Sequence, residues 1–315
     1  MHDLLNTYRL MAKARALEER LIKMSKSHDG FFWIGGPGEE AFNVPLGLLI
    51  KKGEGVDHDF LHFHYRNSAT MLAMGVPMED PIRQMNCRAT DPYSGGRNFV
   101  GHFAIRSWNV APVSSPIEVQ YVIAPGTALA QKRLSKDAIT IVTGGDAGTA
   151  EGDFASCLGW SNIKGRELPI LIIITNNRYG ISTKFEETHG DTIIAKRAEA
   201  FGIRWDTVDG NDPEVSYDKL KTVMEYIRKE RKPFCLEARV SRLHGHSSSS
   251  GANLEVSEVD CLSLFEKKLI QKKLLTADQA KKIRDDYTQE ASDALKKVRT
   301  EPSPDPRTIH EHTFR

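Results

Sequence analysis

The segment AITIVTGGDAGTAEGDFASCLGW, residues 138–160, decides the fold of this chain. Its first part, 138–143, is an apolar run of the length expected for a buried strand. A glycine-rich turn follows, and apolar residues then recur at helical spacing over 151–163. A buried strand that leads through a short turn into a helix is typical of parallel α/β sheets.

The same alternation continues through the second half of the chain. Further helices and strands are predicted at 117–134, 168–175, 203–208, 214–231 and 233–240. Continuous apolar strands of this kind predict a parallel sheet with helices on both faces. Residues 3–24 and 257–300 are predicted to form helical N- and C-terminal extensions. We expect 1–315 to be a single domain, because no linker or internal repeat divides it.

Composition and charge argue against several classes of protein. The chain is 40% hydrophobic and 27% charged, and its 43 Lys and Arg residues balance 42 Asp and Glu residues. Without a basic field, nucleic acid is not an expected partner. The longest apolar run, 168–175, is too short to span a membrane. The cysteines are widely spaced and form no ligand pattern, so we expect a cytoplasmic protein with reduced thiols.

Two polar side chains follow neighbouring strands at the point where each strand ends. Asp146 follows the strand at 138–143, and Asn177 follows the strand at 168–175. Because ligands of open parallel sheets bind beyond the carboxyl ends of the strands, we expect both side chains at one site. A carboxylate, an amide oxygen and a nearby main-chain carbonyl form an oxygen-only set that suits magnesium holding a diphosphate. The glycines let main-chain N–H groups approach phosphate oxygens.

Two other interpretations stay open at this point. Asp146 alone fits a helix N-cap, in which its carboxylate accepts main-chain N–H bonds at the start of the helix at 151–163. The stretch DHDFLHFH, residues 57–64, offers His58, His62 and His64 as zinc ligands. Histidines at alternate positions of one short segment are more often hydrogen-bonded or exposed than bound to a metal, and no companion ligand motif is present.

Five segments in order resemble one family. GGDAG followed by NN at 176–177 resembles the thiamine-diphosphate motif, Gly-Asp-Gly and then Asn-Asn about thirty residues later. The other four are GEEAF (38–42), HYRNSATMLAMGVP (64–77), SSPIEVQ (114–120) and SRLHGHSSSS (241–250). Together they resemble the alpha subunit of the decarboxylating component of 2-oxo acid dehydrogenases, particularly the branched-chain type. The resemblance implies a thiamine-diphosphate-binding fold and covers nearly the whole chain.

The resemblance also implies a set of site residues. Magnesium would be held by the side chains of Asp146 and Asn177 and by the main-chain carbonyl of Tyr179. Tyr65 and Arg66 would bind the diphosphate, for which the planar fork of arginine is well shaped. The other implied cofactor contacts are Ser115 and Ile117 at the aminopyrimidine, Gly145, Ala147, Gly148 and Glu151 around the diphosphate, and His246 over the reactive thiazolium carbon.

Several positions depart from the family's pattern. Ala147 replaces the second glycine of Gly-Asp-Gly, and Thr175 replaces an arginine that reaches the diphosphate. Val119 replaces a threonine that helps to hold a structural potassium ion, and Glu39 replaces a glutamine. The loop HSSSSGAN (246–253) lacks the family's Ser-Asp. All magnesium ligands are retained, so we still expect the cofactor to bind. Because of the departures, we expect its affinity to be lower than is typical of the family.

The implied reaction is the oxidative decarboxylation of a 2-oxo acid, with branched-chain acids favoured over pyruvate and with acyl transfer to a lipoyl group. His246 is implied as the catalytic residue, because a histidine suits proton transfer near neutral pH. The glutamate that activates the cofactor is expected on a beta subunit, in an assembly of two alpha and two beta chains. A lipoyl-bearing acyltransferase is the other expected partner. The alternatives are an acetoin dehydrogenase alpha subunit and a non-catalytic scaffold of the same fold.

Overall fold

A parallel sheet forms the centre of the part of the chain that the computed structural model describes, residues 2–27 and 29–311. Its strands are β1 (Phe60–His62), β2 (Thr140–Gly145), β3 (Ile170–Asn176), β6 (Arg204–Asp209) and β7 (Phe234–Arg239). The spatial order is β1-β2-β3-β7-β6, and every neighbouring pair is parallel. Two short strands, β4 (Tyr179–Gly180) and β5 (Thr183–Lys184), form an antiparallel hairpin just after β3.

Helices connect the strands and extend the fold at both ends. In the described residues they are α1 (Leu4–Lys26), α2 (Glu40–Leu49), α3 (Ser68–Met74), α4 (Glu79–Met85), α5 (Val119–Leu134), α6 (Gly152–Ser161), α7 (Phe185–Thr188), α8 (Pro213–Glu230), α9 (Cys261–Gln271) and α10 (Ala277–Arg299). Side-chain caps fix several of the starts. Asp3 caps α1, Asp212 caps α8 with Pro213 in its first turn, and Thr276 forms a capping box with Gln279.

The sheet is buried on both faces, as its apolar strands require. On one face, Leu171 and Ile173 of β3 pack in a core with residues of α8 such as Leu220. On the other face, Ile172 and Ile174 pack with residues of α5 and α6 such as Phe154. The prediction of a parallel sheet with helices on both faces is therefore confirmed.

The terminal helices form a further core of their own. Tyr8 and Leu17 of α1 are fully buried together with Leu269 of α9 and Val298 of α10. The predicted helical extensions are thus confirmed, with a break between α9 and α10. None of the helices in the described ranges is long and apolar enough to cross a membrane.

The register of β2 and β3 positions the polar residues that follow them. Gly145 pairs with Thr175, so Asp146 and the two asparagines emerge side by side at the carboxyl edge of the sheet. The main-chain N–H of Asp146 donates to the carbonyl of Thr175 at 3.2 Å, which ties the turn after β2 to the end of β3.

Candidate active site

A cavity of about 300 Å³ opens at the carboxyl edge of the sheet. It lies over the ends of β2 and β3, where open parallel sheets bind ligands. Eleven of the predicted site residues line it: Tyr65, Arg66, Ile117, Gly145, Asp146, Ala147, Gly148, Glu151, Asn177, Tyr179 and His246. Residues from distant parts of the chain therefore meet at one place.

Ser115 is the predicted cofactor contact that does not line this cavity. It is exposed, and its hydroxyl lies 2.7 Å from Nε2 of His102. The other ring nitrogen of His102 lies 3.2 Å from the carbonyl of Phe99 and 3.3 Å from that of Val100, so it donates its hydrogen there. Nε2 of His102 is then the acceptor, and the hydroxyl of Ser115 donates to it.

Asp146 is a buried carboxylate with an unsatisfied oxygen. Its side chain is 2% exposed, and Oδ2 has no hydrogen-bond partner. Burial raises its pKa to about 6, although main-chain N–H groups and Arg66 act in the opposite direction. The N-cap interpretation is wrong, because α6 begins at Gly152 with Glu151 in its N-cap position. Asp146 precedes the 3-10 turn at 147–150 instead, and its side chain makes no capping hydrogen bond there. Buried polar atoms without partners are rare, and a divalent cation would satisfy this oxygen.

Asn177 lies beside Asp146 and is held in place by two contacts. Its amide oxygen accepts the N–H of Tyr179 at 3.1 Å, and its amide nitrogen donates to Oε1 of Glu39 at 3.4 Å. The described residues contain no group of three His, Cys, Asp or Glu side chains arranged to bind a metal. The predicted set is of another type, with one carboxylate and two neutral oxygens, which is the chemistry that magnesium accepts alongside phosphate oxygens.

Arg66 is the buried cation of the cavity. Its guanidinium donates to the carbonyl of Gly35, and Nε lies 3.9 Å from Oε1 of Glu39. Glu39 is itself buried, with Oε2 unpartnered. Burial raises the pKa of Glu39 to about 7, although Arg66 and Asn177 lower it. Glu39 therefore contacts both Arg66 and Asn177. The sequence indicated this residue only as a departure from the family's pattern.

His246 and Tyr65 are in contact in the wall of the cavity. The hydroxyl of Tyr65 lies 3.1 Å from Nε2 of His246. Burial, together with the positive charges of Arg66 and Arg242, lowers the pKa of His246 to about 4. The imidazole is therefore neutral at pH 7 in this state of the protein, which differs from the near-neutral pKa expected from the sequence.

Sequence reasoning missed one residue of the cavity wall. Glu118 is buried and lines the cavity, but no sequence pattern assigns it a role. Its charge gave no signal, because an acidic residue near the start of a helix is favourable there without a specific partner. His64 also lines the cavity, and its Nδ1 is buried without a partner.

The zinc interpretation of residues 57–64 is wrong. Nε2 of His62 lies 3.0 Å from the hydroxyl of Thr127, and Nδ1 of His58 lies 3.0 Å from the carbonyl of Glu54. Both carboxylate oxygens of Asp59 accept from Arg228 at 2.7 Å. These side chains have different partners, and none of the described residues, His64 included, belongs to a group of three potential metal ligands.

Comparison with known proteins gives one family. Residues 8–307 match the family described as Dehydrogenase E1 component. The 2-oxoisovalerate dehydrogenase subunit alpha of Bacillus subtilis is 31% identical over 78% of this chain and 73% of its own length. The mitochondrial alpha 1 subunit of Arabidopsis thaliana is 29% identical over 77% of this chain and 50% of its own length, and the human alpha subunit is 26% identical over 98% and 70%.

The chain thus spans about three quarters of the bacterial relative and half of the plant relative. The match extends over all five segments of the sequence that carried the resemblance. It confirms the oxidoreductase class and the dependence on thiamine diphosphate that this family implies. This chain belongs to the dehydrogenase E1 component family.

Proposed function

We propose that this chain is the alpha subunit of the decarboxylating component of a 2-oxo acid dehydrogenase complex, acting on branched-chain 2-oxo acids. The observation that carries the proposal is the buried pair Asp146 and Asn177, which line the cavity at the carboxyl edge of the sheet and include an unsatisfied carboxylate oxygen of Asp146. The names of the similar alpha subunits, all 2-oxoisovalerate dehydrogenases, support the choice of acid.

The cavity residues fit a magnesium-bound diphosphate. Oδ2 of Asp146, the amide oxygen of Asn177 and the carbonyl of Tyr179 would hold the cation. Arg66 would bind phosphate oxygens, and the N–H groups of the turn after β2 would donate to them. Thiamine diphosphate supplies the carbanion-stabilising chemistry when it is bound.

His246 and Tyr65 would manage protons at the wall of the cavity. The neutral imidazole of His246 would be able to accept a proton. The contact between Nε2 and the hydroxyl of Tyr65 orients the ring. Burial is the main cause of the lowered pKa of His246, and Arg66 lowers it further. A diphosphate held by Arg66 would partly neutralise that cation and so would raise the pKa of His246 towards the value that general acid–base catalysis favours.

A beta subunit would complete the site. The surface formed by α5 and α6 leaves large apolar side chains exposed, including Ile123 and Trp160, at 51% and 63%. Exposed apolar groups of this size on neighbouring helices fit a protein partner. Ile117, also 51% exposed, continues this surface to the cavity. We propose two alpha and two beta chains, with a lipoyl-bearing acyltransferase as the further partner. The unpaired cysteines fit the cytoplasmic location predicted from the sequence.

The test is a substrate panel on the native assembly. The tagged chain is purified with whatever binds it, and carbon dioxide release is measured from 2-oxoisovalerate, pyruvate and 2-oxoglutarate. We expect release that needs thiamine diphosphate, magnesium and a second chain, and that is fastest with 2-oxoisovalerate. No release from any acid despite a bound partner would contradict the proposal in favour of a scaffold or of acetoin chemistry.

A further inference from the structure

Glu118 has an unusual place in the fold. It directly precedes α5 with φ of 64°, a left-handed conformation that costs a residue with a side chain on the order of 1 kcal/mol or more. The side chain does not cap the helix, and it is 2% exposed. The conformation instead directs the carboxyl group into the turn that follows β2.

The carboxyl group of Glu118 lies against the end of β2 and the turn that follows it, and both of its oxygens accept hydrogen bonds. Oε1 accepts the main-chain N–H of Gly145 at 3.1 Å, and Oε2 accepts from the side chain of Gln120 at 3.3 Å. A Cβ added at Gly144 or at Gly148 would overlap the carboxyl group. These two glycines therefore leave the space that Glu118 fills.

The same turn forms the wall predicted to hold the diphosphate. Gly145, Asp146, Ala147 and Gly148 line the cavity together with Glu118. An N–H of a glycine turn is a typical donor to a phosphate oxygen, and here it is already used by an oxygen of the protein itself.

Glu118 occupies this place without a cationic partner in the described ranges. The acidic groups that face it are Asp146 in the turn, Glu151 before α6 and Asp153 in α6. Burial first, and then these acids, raise the pKa of Glu118 to about 8, although the N–H of Gly145 lowers it. By its position, the side chain competes with any anion in the cavity for space and for a main-chain donor.

We propose that Glu118 occupies part of the diphosphate position in the cofactor-free protein, so that thiamine diphosphate must displace this side chain to bind. The inference rests on the proposed function, because it takes the diphosphate as the ligand of the cavity. Glu118 would then be a further residue that sets cofactor affinity, beside the departures from the family's pattern at Ala147 and Thr175. The side chain also satisfies the main-chain N–H of Gly145.

The experiment measures affinity for diphosphate ligands. The full chain, in the assembly in which it purifies, is titrated at pH 7 and fixed magnesium with thiamine diphosphate, inorganic diphosphate and thiamine. Glu118→Gly suits the positive φ and removes the competing group, so we expect the Kd for both diphosphates to fall at least tenfold. The Kd for thiamine, which has no phosphate, should not change.

Two further variants keep the test decisive. Glu118→Asn also tolerates the left-handed conformation and is too short to reach Gly145, so it should tighten diphosphate binding even if the glycine variant folds poorly. Glu118→Gln keeps the shape and the acceptor, and its Kd should stay within threefold of the unaltered protein. Equal tightening by Glu118→Gln and Glu118→Gly would contradict competition for space.

The failure of this inference is distinguishable from that of the proposed function. Three results together would show that only the role of Glu118 is wrong. The unaltered protein binds thiamine diphosphate, Asp146→Ala abolishes this binding, and the shortened Glu118 variants bind the cofactor no more tightly. If neither the unaltered protein nor any Glu118 variant binds the cofactor with magnesium, the proposed function is wrong, and this inference with it.

Discussion

At the scale of single residues, Asp146 combines burial with an oxygen that nothing in the described chain satisfies. Such a group destabilises a fold unless a ligand compensates, because a buried carboxylate loses its hydration. The raised pKa of this side chain is the titration counterpart of the same cost. Its retention fits a binding role better than a structural one.

Asp146→Ala is expected to weaken magnesium-dependent binding of thiamine diphosphate by at least about 100-fold, because it removes a predicted metal ligand. Stability of the cofactor-free protein should be unchanged or higher, because an uncompensated buried carboxylate is lost. Isothermal titration and thermal unfolding would measure the two effects.

Asp209→Ala is the matched control for that variant. Asp209 also ends a parallel strand, β6, but it is exposed, and its carboxylate accepts the N–H of Asn211 in the turn that follows. We expect cofactor affinity to be unchanged in this variant. Equal losses in both variants would contradict the special role of Asp146.

His62 makes the stability of the protein depend on pH. Burial lowers its pKa from 6.5 to about 4, so the unfolded chain binds a proton near pH 6.5 that the folded chain does not bind until about pH 4. The free energy of unfolding is therefore unaffected by this group above pH 6.5. It decreases as the pH falls towards 4, by at most about 3 kcal/mol.

His62→Gln keeps a group able to bond Thr127 and removes the titration. Its free energy of unfolding should fall less between pH 7.5 and pH 5 than that of the unaltered protein. Denaturant unfolding at both values measures the difference. Parallel pH dependences would show that His62 does not carry the effect.

At the scale of elements, the hydrophobic pattern predicted the strands β2, β3, β6 and β7 to within a few residues, since continuous apolar runs have few other solutions. It also placed Asp146 and Asn177 at one sheet edge, because the carboxyl ends of parallel strands share an edge. The neighbouring helices α5 and α6 also begin within two residues of their predicted starts at 117 and 151. The pattern did not predict the 3-10 turn at 147–150 that precedes α6.

The candidate site residues also divide into those that the sequence predicted and those that it did not. Those in ordered motifs, such as Arg66 and His246, were predicted from resemblance and do line the cavity. The contacts of Glu118 with Gly145 and of Glu39 with Asn177 could not be predicted, because they join positions 27 and 138 residues apart with no pattern in the chain. Local periodicity carries no information about such pairs.

Gly148→Ala tests how closely the turn after β2 is fitted to α5. The added methyl group would overlap the carboxyl group of Glu118, and overpacking of this kind costs about 1–3 kcal/mol. The double variant Gly148→Ala with Glu118→Gly should recover most of the loss. A double-mutant cycle in denaturant measures this coupling, and additive effects would mean that the two residues do not compete for space.

At the scale of the whole molecule, a buried charge network connects the terminal helices to the sheet domain's first helix. Nε of Arg15 in α1 donates to Oε1 of Glu40 in α2 at 2.7 Å, and its Nη2 donates to Asp260, the cap of α9, at 3.0 Å. Glu40 also accepts the N–H of Gly38. One arginine thus links three segments of the chain.

Arg15→Leu is expected to lower the free energy of unfolding by about 3–5 kcal/mol, because it leaves the buried carboxylate of Glu40 without its cation. Arg106→Leu is the control, since Arg106 pairs with Glu54 on the exposed surface and should cost less than about 1 kcal/mol. Denaturant unfolding compares the two. Equal small losses would show that Arg15 is not a structural link.

The strand order has a consequence for the kinetics of folding. The segments that carry Arg66, Asp146 and Asn177 follow β1, β2 and β3, and β1 pairs with a strand about eighty positions away along the chain. Pairings at such separation close large loops and form slowly. A ligand that needs all three side chains has no binding site on a partly folded chain, so it can slow unfolding but cannot accelerate folding. The onset of ligand binding during refolding would then report the time at which the sheet is complete.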